Sequence, residues 1–118
     1  NKYKQLTERK IIMLKIGDIM YSTWGYDQTN VDFYRVAKIT KTGKSVTLVP
    51  IGQVIYKSEN PLAEYVIPSD NKSGYGAPIT RRIKVWDWNG QKKVSVKLNS
   101  YASASLWNGT PILQTHYH

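Results

Sequence analysis

Cysteine is absent from the 118 residues of the chain. Disulfides, thiolate metal sites and thiol nucleophiles are therefore excluded, a pattern that fits a reducing compartment. Histidine is nearly absent: there are two, His116 and His118. They form a His-x-His pair, but two ligands without cysteine or nearby acids make a poor metal site, and no metal is expected. No apolar run approaches the ~18 to 20 residues that a membrane-spanning helix needs, and the chain does not open on a basic, then apolar, then small-residue export signal. The expectation is a cytoplasmic protein with no membrane partner. Also missing are a Gly-x-Ser-x-Gly elbow, a phosphate-cradling Gly-rich loop with its lysine, a dinucleotide fingerprint and a His-Glu-x-x-His helix. No small-molecule substrate is evident, and neither an enzyme nor a cofactor is expected.

Acidic residues are few, with 8 Asp plus Glu against 17 Lys plus Arg and a formal charge of +9. Such an excess concentrates polyanions and steers their approach, nucleic acid first among them. It also simply keeps a small protein in solution, so the placement of the charges has to decide. The length is that of one domain able to bury a core. We divide it into a basic N-terminal arm over residues 1–13, either a short helix or a frayed end, and a single β domain over residues 14–118.

Alternating apolar and polar residues, bounded by turn signals, mark the strands. Ile19, Met20 and Tyr21 with Trp24 form the first, after the Gly17-Asp18 turn. Val31–Thr40 is the second, and Ser45–Ile51 the third, with Pro50 confined to an edge or an end because it cannot donate to a ladder. Gln53–Lys57 continues the sheet, and Leu62–Ile67 is too short to assign. The stretch Pro68–Pro78 is dense in Gly, Pro and small polar residues, which argues against a regular element there. It is read as a mobile connection or a binding loop. The fold class is mainly β: a small twisted antiparallel sheet or SH3-like barrel of ~5 to 7 strands, with room for one short helix.

Asn89-Gly90 between two alternating runs is a strong hairpin signal, and it fixes a register. Trp88 faces Gln91, Trp86 faces Lys93, Val85 faces Val94, Lys84 faces Ser95, Ile83 faces Val96 and Arg82 faces Lys97. Because alternate residues point to opposite faces, Ile83, Val85, Val94 and Val96 form one apolar face, assigned to the core. Arg82, Lys84, Trp86, Trp88, Lys93 and Lys97 form the other. That face combines cations for phosphates with indoles for unstacked bases, the chemistry of a single-stranded nucleic-acid site. Alternatively, Trp86 and Trp88 pack beneath a neighbouring loop with lysine stems over them.

The loop from Trp24 to Tyr34 gathers Trp24, Tyr26, Asp27, Gln28, Asn30 and Asp32, more chemistry than a turn requires. Its aromatics are expected to wedge one end of the sheet, while Asp27 and Asn30 cap loop amides. Asp27 and Asp32, joined by Asp18, are a second candidate, as a carboxylate pair able to share a proton or hold Mg²⁺. If Gln28 and Thr29 sit beside the basic face, they extend it as a partner contact.

The run Trp24-Gly25-Tyr26-Asp27-Gln28-Thr29-Asn30-Val31-Asp32-Phe33-Tyr34, preceded by Gly17-Asp18 and Tyr21-Ser22, resembles a group of small proteins from bacteriophages and other mobile elements of bacteria. A weaker match follows at Val96-Lys97-Leu98, Ser100-Tyr101, Leu106-Trp107 and Asn108-Gly109. The likeness covers most of the chain from Leu14 onward. It implies context rather than chemistry: a phage-type accessory protein acting in the bacterial cytoplasm. Within that context, the charge and the Arg82, Lys84, Trp86, Trp88, Lys93 and Lys97 face lead to the expectation of a module that binds nucleic acid or a host nucleoprotein complex. The alternative is an anti-defence inhibitor, of anti-CRISPR type, acting by protein–protein contact.

Overall fold

The alternation in the sequence has its physical counterpart throughout the computed structural model, where each alternating run is a β-strand with one side turned to a core. The structure describes residues 14–25, 28–74, 76–88 and 90–116, and of residues 87, 88, 91 and 92 the backbone alone. Eight strands follow one another: β1 (Ile19–Trp24), β2 (Asn30–Ile39), β3 (Ser45–Asn60), β4 (Ala63–Ser73), β5 (Ile79–Trp88), β6 (Gln91–Asn99), β7 (Ala102–Leu106) and β8 (Ile112–Thr115). There is no helix among the described residues. The basic arm lies outside them.

The strands pair antiparallel in the order β2-β1-β7-β6-β5-β3-β4-β8, and β2 also pairs with β3. That extra pairing closes β1, β2, β3, β5, β6 and β7 into a ring, which removes their exposed edges. The second half of β3, with β4 and β8, forms a wing folded against the ring. A small barrel-like antiparallel sheet was the expected class; β8 and the full length of β4 were not expected.

Residues of opposite parity on β2 enter two different cores. Tyr34 and Val36 face the ring interior with Met20, Val46, Leu48, Val96 and Ala104, and Leu14 joins the same cluster. Val31 and Phe33 face outward and are covered by Ile51, Val66, Ile112 and Trp107. Phe33 is only 1% exposed, and its ring meets Trp107 edge-on, with centroids 6.2 Å apart and planes at 77°. Such a pair contributes about 0.5–1.5 kcal/mol beyond the area it buries. β8 is sewn to the start of β2 by Thr115 N donating to Thr29 O at 3.0 Å and by the buried Gln114, whose Oε1 accepts from Val31 N at 3.1 Å.

Three expectations are corrected. Pro50 lies inside β3, opposite Tyr34, rather than at an edge or an end. Its carbonyl accepts from Gly74 N at 3.3 Å, so the side lacking an amide hydrogen faces the place where the neighbouring strand changes from β5 to β4, between the Leu48–Ile79 and Ile51–Ser73 pairs. The Pro68–Pro78 stretch, expected to be irregular, is strand as far as Ser73. The ladder tolerates its polar filler as a bulge: Gly52 pairs with Ser69 and Ile51 with Ser73, so residues 70–72 are extra. Gly52 makes this possible, since a Cβ there would collide with Cβ of Lys72. Finally, Val85 is 44% exposed rather than in the core. The pairing of β5 with β3 ends at Arg82–Ser45, so β5 runs on without its β3 neighbour and Val85 is covered only in part.

This last difference yields a paired stability test. Val96, with no exposed surface, should lose about 2 kcal/mol on Val96→Ala from lost transfer energy and the cavity left behind. Val85→Ala should cost less than about 0.5 kcal/mol, as surface substitutions usually do. Urea unfolding of both variants reads the difference, and equal losses would contradict the placement of Val85.

Candidate functional site

The hairpin register expected from Asn89-Gly90 is the one observed: Ile83–Val96, Lys84–Ser95, Val85–Val94, Trp86–Lys93 and Trp88–Gln91 are partners. Trp88 opposite Gln91 leaves a two-residue connection, and Gly90 has φ +76°, the positive value a type I′ turn requires. Asn89 lies outside the described residues. Arg82 has Ser45 as its cross-strand partner on the β3 side.

Parity places Arg82, Lys84 and Trp86 of β5 on the outer face with Lys93, Ser95 and Lys97 of β6, and the neighbouring strand adds Ser103, paired with Lys97. Lys84, Trp86, Ser95, Lys97 and Ser103 line one open groove of about 370 Å³. Trp86 is 42% exposed, so its indole is not covered by a loop. Arg82, Lys84 and Lys97 are exposed and Lys93 is half-buried. Among the described residues the ion pairs are Arg35–Asp70, Lys57–Glu59 and His116–Glu64, none of which involves this face. The Trp88 side chain is outside the described part. The backbone carbonyl of Lys44 accepts from Ile83 N at 2.8 Å, which brings the basic Lys41–Lys44 turn beside β5. No sequence pattern local to the hairpin announces that neighbour.

The Trp24–Tyr34 loop is at the other end of the ring. β1 runs parallel to β6, because both are antiparallel to β7 between them, so Trp24 lies toward Asn99 and away from the hairpin turn. Gln28 and Thr29 therefore do not extend the basic face. Gln28 Nε2 donates to Asn30 Oδ1 at 3.1 Å, and Thr29 N donates to Thr115 Oγ1 at 2.8 Å. Tyr26 and Asp27 lie outside the described residues, and so does any pairing of Asp27 with Asp32. Asp18 closes its own turn by accepting from Lys15 N at 2.7 Å. Asp32 Oδ2 accepts from Trp24 Nε1 at 2.6 Å. No group of three His, Asp or Glu able to hold a metal occurs among the described residues.

The loop instead borders a pocket that the sequence did not suggest. At this end of the ring, Ser22, Trp24, Asp32, Tyr34, Arg81 and Tyr101 line a concavity of about 300 Å³. Trp24, Asp32 and Tyr34 also wall an adjoining groove of about 440 Å³ that runs toward Gly52 and Lys72. Arg81 is held by donating from Nε to Leu98 O at 3.2 Å and from Nη1 to Thr80 O at 3.0 Å. Ser22 is 1% exposed, and its Oγ has no hydrogen-bond partner among the described residues. A buried hydroxyl left unmatched costs about 1–3 kcal/mol, so this atom is out of keeping with the satisfied polar groups around Gln114. Only the folding of three strands and the β6–β7 turn to one end assembles these residues, which is why no motif marks them.

Burial, and then the charge of Asp32, raise the Tyr34 hydroxyl above the usual 10.0. The protonated phenol is the form the fold favours. Its contribution is fully present below the unfolded value and is lost as pH rises through the raised one. Alkaline unfolding above about pH 10 should therefore be steeper for the native chain than for Tyr34→Phe, read as the slope of unfolding free energy against pH.

Compared with protein-family models, with curated proteins and with solved structures, the chain matches none.

Proposed function

We propose that the chain is a non-enzymatic module that binds single-stranded nucleic acid, alone or within a nucleoprotein complex, along the outer face of β5, β6 and β7. The observation that carries this reading is the groove in which the exposed Trp86 indole lies among Lys84, Lys97 and two serines, with no carboxylate paired to those lysines among the described residues. A base stacks on an exposed aromatic with about 1–3 kcal/mol, and flanking cations release counterions from the phosphates. The net charge of +9 supplies long-range attraction. The phage-like resemblance provides the setting, an accessory protein in the cytoplasm of a bacterial host.

A labelled oligonucleotide should bind with a log K against log salt slope of about −3 if Arg82, Lys84, Lys93 and Lys97 each meet a phosphate, at roughly 0.7 per contact for single strands. Lys84→Ala should flatten that slope by about 0.7. Trp86→Ala should cost about 1–3 kcal/mol with the slope unchanged. Fluorescence anisotropy across a salt series measures both, and no binding at low salt would end the proposal.

A second reading, protein contact with a host defence complex, is favoured by the wing, where Ile55 is 59%, Tyr56 65%, Leu62 46% and Leu113 41% exposed. Exposed apolar residues, here from β3, the β3–β4 turn and β8, anchor partners. Capture of a specific protein from nuclease-treated bacterial lysate, lost on Tyr56→Ala and retained by Trp86→Ala, would favour that reading over nucleic-acid binding.

A further inference from the structure

The pocket at the far end of the ring combines four chemistries rarely found together by accident: aromatic surface from Trp24 and Tyr34, the Asp32 carboxylate, the Arg81 guanidinium, and the buried unmatched hydroxyl of Ser22. Each narrows the ligand. The carboxylate disfavours a bare anion. The guanidinium and the overall charge of +9 disfavour a cation, although aromatic surface alone would suit one. A flat, neutral heterocycle with donors and acceptors at its rim satisfies all four, and such a ring arrives at a basic protein attached to phosphate.

The carboxylate then selects among the bases. One of its oxygens already accepts from Trp24 Nε1 at 2.6 Å, yet an ionised carboxylate offers about four acceptor positions. It can therefore take two further donors side by side. On their pairing edges, uracil and thymine place acceptors on both sides of a single donor, and adenine and cytosine set an acceptor beside their amino group. Guanine alone presents adjacent donors, N1–H and N2–H, with the O6 and N7 acceptors that suit an arginine. We infer that the Ser22, Trp24, Asp32, Tyr34 and Arg81 pocket is a guanine site, Asp32 accepting from the N1–H and N2–H edge, Arg81 and Ser22 supplying donors, and Trp24 giving the stacking surface. The inference takes the source of the base from the nucleic-acid reading above, but a free guanine nucleotide carries the same chemistry.

The test uses the full chain and two kinds of probe. The first comprises three oligothymidylates: all-thymine, the same with one central guanine, and the same with hypoxanthine in that place, which lacks only the N2 amino group. The second is GMP against IMP, followed through the Trp24 indole NH signal by NMR. The guanine strand should bind about five- to a hundredfold more tightly than its hypoxanthine twin. Asp32→Asn, whose side-chain oxygen still accepts from Trp24, should abolish that preference and leave all-thymine binding unchanged. Ser22→Ala should leave unfolding stability the same or higher, because it removes an unmatched group, while weakening the guanine and hypoxanthine strands alike, severalfold relative to all-thymine. Lys84→Ala should weaken all three strands alike. Equal binding of the three strands, together with no GMP response, or a guanine preference that survives Asp32→Asn, overturns the pocket and leaves the hairpin face standing. A GMP response that needs Asp32, with no strand binding at low salt, keeps the pocket as a nucleotide site and overturns the nucleic-acid reading.

Discussion

Strand β2 sends side chains from its two faces into two cores and is bonded along both edges, and the rest of the structure follows from that constraint. Its Val36 fills the ring and its Phe33 fills the space beneath the wing, while β1 and β3 occupy its two edges. A strand so placed cannot slip by one residue without exchanging its two cores, since a one-residue shift reverses every side chain. The register of β2 therefore sets that of β1 and β3, and through them the ring. The long aromatic and acidic motif around Trp24 leads directly into this strand. Its first task is thus architectural, fixing where β2 begins through bonds from Thr29 and Val31 to β8.

The basic face and the pocket are consequences of different parts of that frame. The face needs only local pairing: once β5 and β6 close over a two-residue turn, parity gathers the lysines and Trp86 on one side. The pocket needs the whole closure, because Ser22, Asp32 and Arg81 belong to β1, β2 and β5, and it is their meeting at one ring end that encloses them. Polar groups at that end are satisfied unevenly, in contrast to Gln114, which joins Val31, Gln53 and Glu64 in one network at 3.0–3.1 Å.

What could be read from the sequence divides along the same line. The register of the hairpin from Ile79 to Leu98 was legible because turn chemistry and a period of two act over a few neighbours. The first two strands and the first half of β3 were legible for the same reason, whereas the run of β3 to Asn60 was not. β8 was not, since four residues, Ile112–Thr115, carry too little pattern to announce a strand whose partner is Ala63–Val66. The end of β4 was hidden by its own polar bulge, whose tolerance depends on the missing side chain of Gly52 opposite. The exposure of Val85 followed from the length of β3, a tertiary fact invisible within the hairpin.

The overhang of β5 and β6 beyond the Arg82–Ser45 pair has a bearing on how this surface can change. Near that pair Ile83, Val94 and Val96 still pack into the ring core and Ser95 and Val96 still pair with β7, but past Val85 and Val94 the two strands run beyond both neighbouring ladders. Substitutions in that tip are felt chiefly by the hairpin itself, whose fraying is a local event below the global unfolding free energy. The tip of the hairpin is in this way insulated from the foundations of the molecule. Its charge and aromatic content can change at small cost to the fold, while the ring that carries it remains the same.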